Sequence, residues 1–231
     1  MDIIPEKLKR NELERSMEKL KVAFDSIVYA RCSKCQEEWQ DSSLINGICE
    51  ECIEKERYKK GKRFDNFKVT SSNKKAYTMA DVFPNNDRGL YLWGGTGTGK
   101  SHLAQAVYNV LKKKTTDILY CNTPELLCEI RSSFNKLSSH TEKDLVDFYS
   151  EQDYLILDDF GAEKVSDYTI QTLYLIIDKM LRYGNNKILI ISNLSLKVIS
   201  NKMSDRIASR ISEMCDIVYT GKNDWRLKLT K

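Results

Sequence analysis

Apolar positions recur along the chain at two different spacings, and the change from one to the other divides it. Between Glu6 and Tyr29 the residues Leu13, Met17, Leu20, Phe24, Ile27 and Val28 return every three or four positions among Lys, Arg and Glu, which predicts an amphipathic helix. A second helix, basic and exposed, is expected from Glu54 to Arg63. After Phe64-Asp65-Asn66-Phe67 and a polar stretch from Thr70 to Lys75, short continuous apolar runs take over. Leu90–Trp93, Ile118–Cys121, Tyr154–Leu157, Lys187–Ile191 and Asp216–Tyr219 read as strands. Helical patterns near 101–113, 124–136, 142–151, 168–182 and 204–214 separate them. This alternation predicts an α/β domain over residues 63–231, a parallel five-stranded sheet between helices, preceded by a small module over residues 1–62.

Composition agrees with one domain and a satellite. The chain has 231 residues, 41% of them hydrophobic, enough to bury the core of a domain of about 150 residues with a small addition. Only 3 Pro and 10 Gly exclude a collagenous or wholly disordered chain. The 37 Lys and Arg stand against 33 Asp and Glu for a net charge of +4, mixed along the chain, which permits nucleic-acid contact without requiring it. A run of about 18 apolar residues, the length of a membrane span, is absent. The start, Met1 to Lys7, has two acids and lacks the apolar segment of a secretory signal, so a cytoplasmic protein without membrane contact is expected.

The first chemistry lies between the Leu90–Trp93 run and the helical pattern that follows it. Gly94-Gly95-Thr96-Gly97-Thr98-Gly99-Lys100-Ser101 fits GxxxxGK[ST], in which glycines let backbone N–H groups converge on a polyphosphate. Lys100 is expected to reach the β- and γ-phosphates of ATP and Ser101 to ligate Mg²⁺, with the helix N-terminus adding its partial positive charge. Tyr154-Leu155-Ile156-Leu157 then leads to Asp158 and Asp159 at the carboxyl edge of a buried strand, where ligands of open α/β sheets sit. Asp158 is the second expected Mg²⁺ ligand, and Asp159 is placed to orient and deprotonate water, which favours hydrolysis. At the end of Lys187–Ile191, Asn193 either senses the γ-phosphate or the attacking water, or caps the helix expected at Ser195 to Ser200.

On these residues the chain resembles an AAA+ ATPase of the bacterial helicase-loader group, the DnaC/DnaI type, whose relatives include the IstB-type transposition helpers. The resemblance runs from about Phe64 onward. It rests on Phe64-Asp65-Asn66-Phe67, Gly99-Lys100-Ser101-His102-Leu103-Ala104, Leu157-Asp158-Asp159-Phe160-Gly161-Ala162-Glu163, Ile191-Ser192-Asn193-Leu194-Ser195 and Arg206-Ile207-Ala208-Ser209-Arg210. It implies that Arg210 is an arginine finger completing a neighbouring subunit's site, with Arg206 the less certain of the pair. The Asp-Asp pair stands where most AAA+ proteins have Asp-Glu, which implies slow turnover. The chain ends soon after Asp224-Trp225-Arg226, without a helical lid, so the resemblance implies closure by a neighbouring protomer and self-association with ATP bound. It also places single-stranded DNA near Ser132 to Lys136, where Arg131, Phe134 and Lys136 offer cations and a stacking ring. The residues alone favour Phe134 on the inner face of its helix instead.

Cysteine usage fits a reducing compartment. Cys32, Cys35, Cys49 and Cys52 form CxxC-x13-CxxC, close to a four-thiolate zinc ribbon, and the closed ligand set reads as structural Zn²⁺ rather than two disulfides. Cys121, Cys128 and Cys215 lie in apolar surroundings and are expected in the core. Loaders of the DnaI type carry an amino-terminal zinc module that contacts the replicative helicase, a DnaB-type ring, which makes residues 1–62 the expected helicase contact. The expected function is ATP-dependent helicase loading in DNA replication. The alternatives are an IstB-type transposition helper and a helicase-binding adaptor without significant turnover.

Overall fold

The computed structural model describes residues 29–31, 33, 36–40, 44–45, 48–49, 61–134, 140–183 and 186–224. The chain divides into two compact units, Met1–Lys60 and Gly61–Lys231. In the first, β1 (Tyr29–Arg31) pairs antiparallel with β2 (Glu38–Gln40), and β3 (Leu44–Ile45) with β4 (Ile48–Cys49). The helix expected from Glu6 to Tyr29 lies outside the described residues except at Tyr29, which opens β1. Of the helix expected from Glu54 to Arg63, only 61–63 are described, and they are not helical.

The second unit runs α1 (Lys74–Val82), a 3-10 turn at Phe83–Asn85, β5 (Gly89–Trp93), α2 (Lys100–Leu111), β6 (Ile118–Asn122), α3 (Thr123–Ser132) and α4 (Glu142–Ser150). It continues through β7 (Tyr154–Phe160), α5 (Asp167–Tyr183), β8 (Lys187–Ser192), α6 (Leu196–Lys202), α7 (Asp205–Met214) and β9 (Cys215–Tyr219). The five strands β5 to β9 form one sheet in the order β6-β7-β8-β5-β9, and every neighbouring pair is parallel. Parallel strands need helical crossovers, and these cover both faces, which is why the strands are continuously apolar rather than alternating.

Successive residues of each strand divide between two cores. Tyr91, Leu155, Leu157, Ile188 and Ile190 pack with α3 to α7, whereas Leu90, Leu92, Ile156, Leu189 and Ile191 pack with α1 and α2. Helix α1 begins at the end of the polar stretch from Thr70 to Lys75 and runs on through residues where the sequence pattern predicted no element. Its inward positions are Ala76 and Ala80, one turn apart and fully buried, too small to give an apolar periodicity. Strand β7 extends through Asp158 to Phe160, three residues beyond the apolar run. Helix α3 stops at Ser132, and Phe134 beyond it is 57% exposed, which overturns its expected inward packing. Of the three cysteines expected in the core, Cys215 is buried, Cys121 half-buried and Cys128 exposed on α3. Among the described residues no helix is long and apolar enough to cross a membrane.

Candidate nucleotide site

The carboxyl ends of β5, β7 and β8 meet at one edge of the sheet, and each delivers one part of the predicted set. The loop after β5 turns on glycines in the left-handed region. At Gly97 (φ 67°) an added Cβ would lie 1.8 Å from the Asp224 carboxylate, and at Gly99 (φ 96°) 2.6 Å from the Phe67 ring, so neither position admits a side chain. Lys100 is buried, and its Nζ donates to Gly94 O at 3.0 Å, Gly95 O at 2.7 Å and Asn193 Oδ1 at 2.8 Å. The ammonium therefore links the loop to the end of β8. The helix-capping alternative for Asn193 falls to Ser195, whose Oγ accepts from Val198 N. Ser192, just before, donates to Phe160 O at 2.6 Å and accepts from Leu194 N at 3.0 Å, which ties the ends of β7 and β8 around the amide.

The acidic pair requires a broken strand. Adjacent residues of a regular strand point to opposite faces, so Asp158 and Asp159 could not serve one site. The β7–β8 register shifts between Leu157 and Phe160, and Asp159 adopts φ 55°, a left-handed conformation in which Asp is among the few tolerated residues. Asp158 is buried and accepts from Ser101 Oγ at 3.2 Å and Asp159 N at 2.9 Å through Oδ1, and from Tyr120 OH at 2.5 Å through Oδ2. Asp159 is exposed, and its Oδ2 accepts from Asn122 Nδ2 at 3.0 Å. Burial, followed by the hydrogen bond to the neighbouring carboxylate, pushes the Tyr120 phenol far above its ordinary range, so this hydroxyl acts as a donor.

A cavity of about 650 Å³ opens over the loop, lined by Thr96 to His102, by Asp159 and Asn193, and by Lys62, Asn66, Phe67, Lys68 and Asn73. The last five come from the segment preceding α1, to which the sequence gave no task beyond its family likeness. His102 Nε2 lies 2.9 Å from both Arg63 O and Asn66 Oδ1; since both are acceptors, Nε2 carries the proton and pins that segment on the first turn of α2. Phe67 packs edge-on against His102, with ring centroids 5.1 Å apart. Asn73 is fully buried and closes its loop by accepting from Thr70 N and donating to Lys68 O.

Oxygen donors at Ser101 and Asp158, the Lys100 ammonium within the loop, backbone fitted to glycine and a carboxylate facing the cavity are groups that could hold a magnesium–polyphosphate. The model of the bacterial DnaA ATPase domain matches residues 58–217, more than half of the chain. The chain belongs to this family. It is 28% identical over 153 residues to the replicative helicase loader DnaC of Buchnera aphidicola subsp. Schizaphis graminum, an alignment covering 64% of this chain and 62% of that loader. The DnaA-family domain of this chain also resembles a solved structure of DnaI at 25% identity and TM-score 0.57, covering 69% of this chain and 90% of that one. A replication initiator DnaA bound to AMPPCP and single-stranded DNA matches with TM-score 0.59 at 23% identity, over 68% of this chain and 49% of that one, a likeness of fold.

The remaining predicted residues lie elsewhere. Arg210 on α7 is not among the residues lining the cavity; its Nε pairs with Asp178 Oδ1 of α5 at 3.0 Å and its Nη1 with Glu213 Oε2 at 3.0 Å. Arg206, one turn earlier, is exposed. Arg131 stacks its guanidinium over the Tyr168 ring, 5.6 Å from the centroid, and Phe134 meets the same ring edge-on at 5.4 Å. Lys136, Cys32, Cys35 and Cys52 lie outside the described residues, as does the side chain of Cys49, which ends β4. Tyr120 and Asn122 were invisible to motif reading, because a strand residue two positions from another on the same face carries no sequence mark of what lies opposite.

Proposed function

We propose that this chain is an ATP-driven loader of the replicative DNA helicase, with residues 63–231 as the ATPase domain and residues 1–62 as the helicase-binding module. The observation that supports it most is the meeting of Lys100, Asp159 and Asn193, from three different strand ends, on one cavity of a DnaA-family domain that is also akin to a DnaC loader. Lys100 exchanges its carbonyl partners for phosphate oxygens of ATP. Ser101 and Asp158 hold Mg²⁺, which when bound neutralises charge on the transferring phosphoryl group. Asp159 orients water and takes its proton, and Asn193, bridged to Lys100, registers whether the γ-phosphate is present. Arg210 serves the site of a neighbouring protomer, so hydrolysis depends on ATP-bound self-association.

Exposed Arg131 and Phe134, set against the half-buried ring of Tyr168, offer a cation and two rings, the elements of sequence-tolerant contact with single-stranded DNA. The DnaA relative that holds single-stranded DNA lends this assignment support. For the amino-terminal module, the spacing of Cys32, Cys35, Cys49 and Cys52 supports a structural Zn²⁺, with the first pair in the connection from β1 to β2 and the second beginning at the end of β4.

Retention of a ring-shaped replicative helicase on closed circular single-stranded DNA tests the proposal. Helicase recovered with the circle should rise severalfold when this protein and ATP are present together, and the gain should be lost with Lys100→Ala. Unchanged helicase recovery combined with ATP-dependent coating of duplex DNA would favour the transposition-helper reading instead.

A further inference from the structure

Strand β6 holds a hydroxyl with no part in the chemistry assigned above. Tyr120 stands opposite Ile156 in the β6–β7 ladder, two residues before the Asn122–Asp158 pair, and its hydroxyl reaches diagonally forward to Asp158 Oδ2 at 2.5 Å. That length is at the short end of the range for a hydroxyl donating to an oxygen. The ring packs edge-on against Tyr108 of α2 at 5.9 Å between centroids, so the hydroxyl is anchored from both the strand and the helix that follows the phosphate loop.

The other oxygen of Asp158 has different duties. Oδ1 accepts from Ser101 Oγ and from Asp159 N, which directs it at the serine hydroxyl. An aspartate on a broken strand has two free torsions and two equivalent oxygens. The Tyr120 bond removes that equivalence by holding Oδ2 on the β6 side. Packing alone does not call for the hydroxyl, since phenylalanine would fill the same space beside Tyr108 and leave no polar atom to desolvate.

We propose that Tyr120 is a positioning residue for the magnesium ligand Asp158, fixing its carboxylate so that Oδ1, beside Ser101, is the oxygen offered to the cation. The inference rests on the nucleotide-site reading given above. Groups that orient a metal ligand from behind raise cation affinity without touching the cation, and losing one weakens affinity by about 10- to 100-fold.

The test is Tyr120→Phe in the full chain, read by equilibrium binding of a fluorescent ATP analogue across a series of Mg²⁺ concentrations. Binding without Mg²⁺ should match the parent protein, while the Mg²⁺ needed for half of the cation-dependent gain should rise at least tenfold. Paramagnetic resonance of Mn²⁺, used in place of Mg²⁺ with ATP, should show the same displacement. An unchanged half-saturating concentration, even with a lowered melting temperature, would leave Tyr120 a purely structural residue and overturn the proposal. In an Asp158→Asn background, Tyr120→Phe should add no further loss, and an additive loss would also overturn it, because the tyrosine would then act by another route. Lys100→Ala separates the two levels. Undiminished analogue binding by that variant refutes the nucleotide-site reading itself, whereas Lys100-dependent binding with an unshifted Mg²⁺ requirement refutes the role of Tyr120 alone.

Discussion

Asp159 is left-handed, at φ 55°, inside a strand, and this one residue brings two consecutive carboxylates to the same edge. Asparagine tolerates that conformation, so Asp159→Asn should keep the backbone and nucleotide affinity within about threefold while turnover falls by about 100-fold or more, as expected when a general base is lost. Calorimetric binding beside steady-state hydrolysis separates the two effects. Asn193→Ala should likewise spare binding and lower turnover, because it removes the Oδ1 acceptor from Lys100 but none of the loop N–H groups. At this scale the sequence was legible wherever a motif carries its own chemistry: Lys100, Ser101, Asp158 and Asp159 were named by type and spacing. It was illegible where the role comes from register. Nothing in Ile118-Leu119-Tyr120-Cys121-Asn122 says that the Tyr120 hydroxyl reaches Asp158 or that the Asn122 amide reaches Asp159; the β6–β7 register sets Asn122 beside Asp158, and the left-handed turn at Asp159 brings the next carboxylate to the amide.

The elements were readable in proportion to the size of their buried side chains. The strands, with Leu155, Leu157, Ile188 and Ile190 fully buried, showed themselves as apolar runs. Helix α1 did not, because alanines face its core. Ile190→Ala, at the centre of the sheet, should cost about 2–5 kcal/mol of stability, measured by denaturant unfolding. A second element-level prediction concerns the turn after β7. Glu163 is buried there, with Oε2 accepting from Gly161 N and Oε1 without a hydrogen-bond partner among the described residues, and burial raises its carboxyl above the ordinary range. A carboxyl raised in the fold favours its neutral form, so its contribution to stability is complete below the unfolded pKa and is lost as pH rises through the folded one. Glu163→Gln, uncharged at every pH, should therefore melt higher than the parent at pH 8, and the difference should shrink steadily on acidification. A difference independent of pH would show that Glu163 carries no such penalty.

At the scale of the molecule, the proposed function makes the site of one protomer depend on its neighbours. Arg210 is held by Asp178 and Glu213, on elements that do not line its own cavity, which suits an arginine presented to a neighbour. With the parent protein, ATP turnover per protomer should climb with protein concentration. With Arg210→Ala it should stay at the low value of dilute protein, with binding preserved. Turnover untouched by this substitution at every concentration would refute the trans-acting role. The partner on which the proposed function depends is the replicative helicase, and the most direct measurement is the mass of the assemblies formed by the full chain and its host's helicase ring under native mass spectrometry, with and without ATP. A defined complex whose stoichiometry changes with ATP, and does not change with Lys100→Ala, is the predicted result. The absence of any helicase complex under either nucleotide condition would contradict the loader assignment.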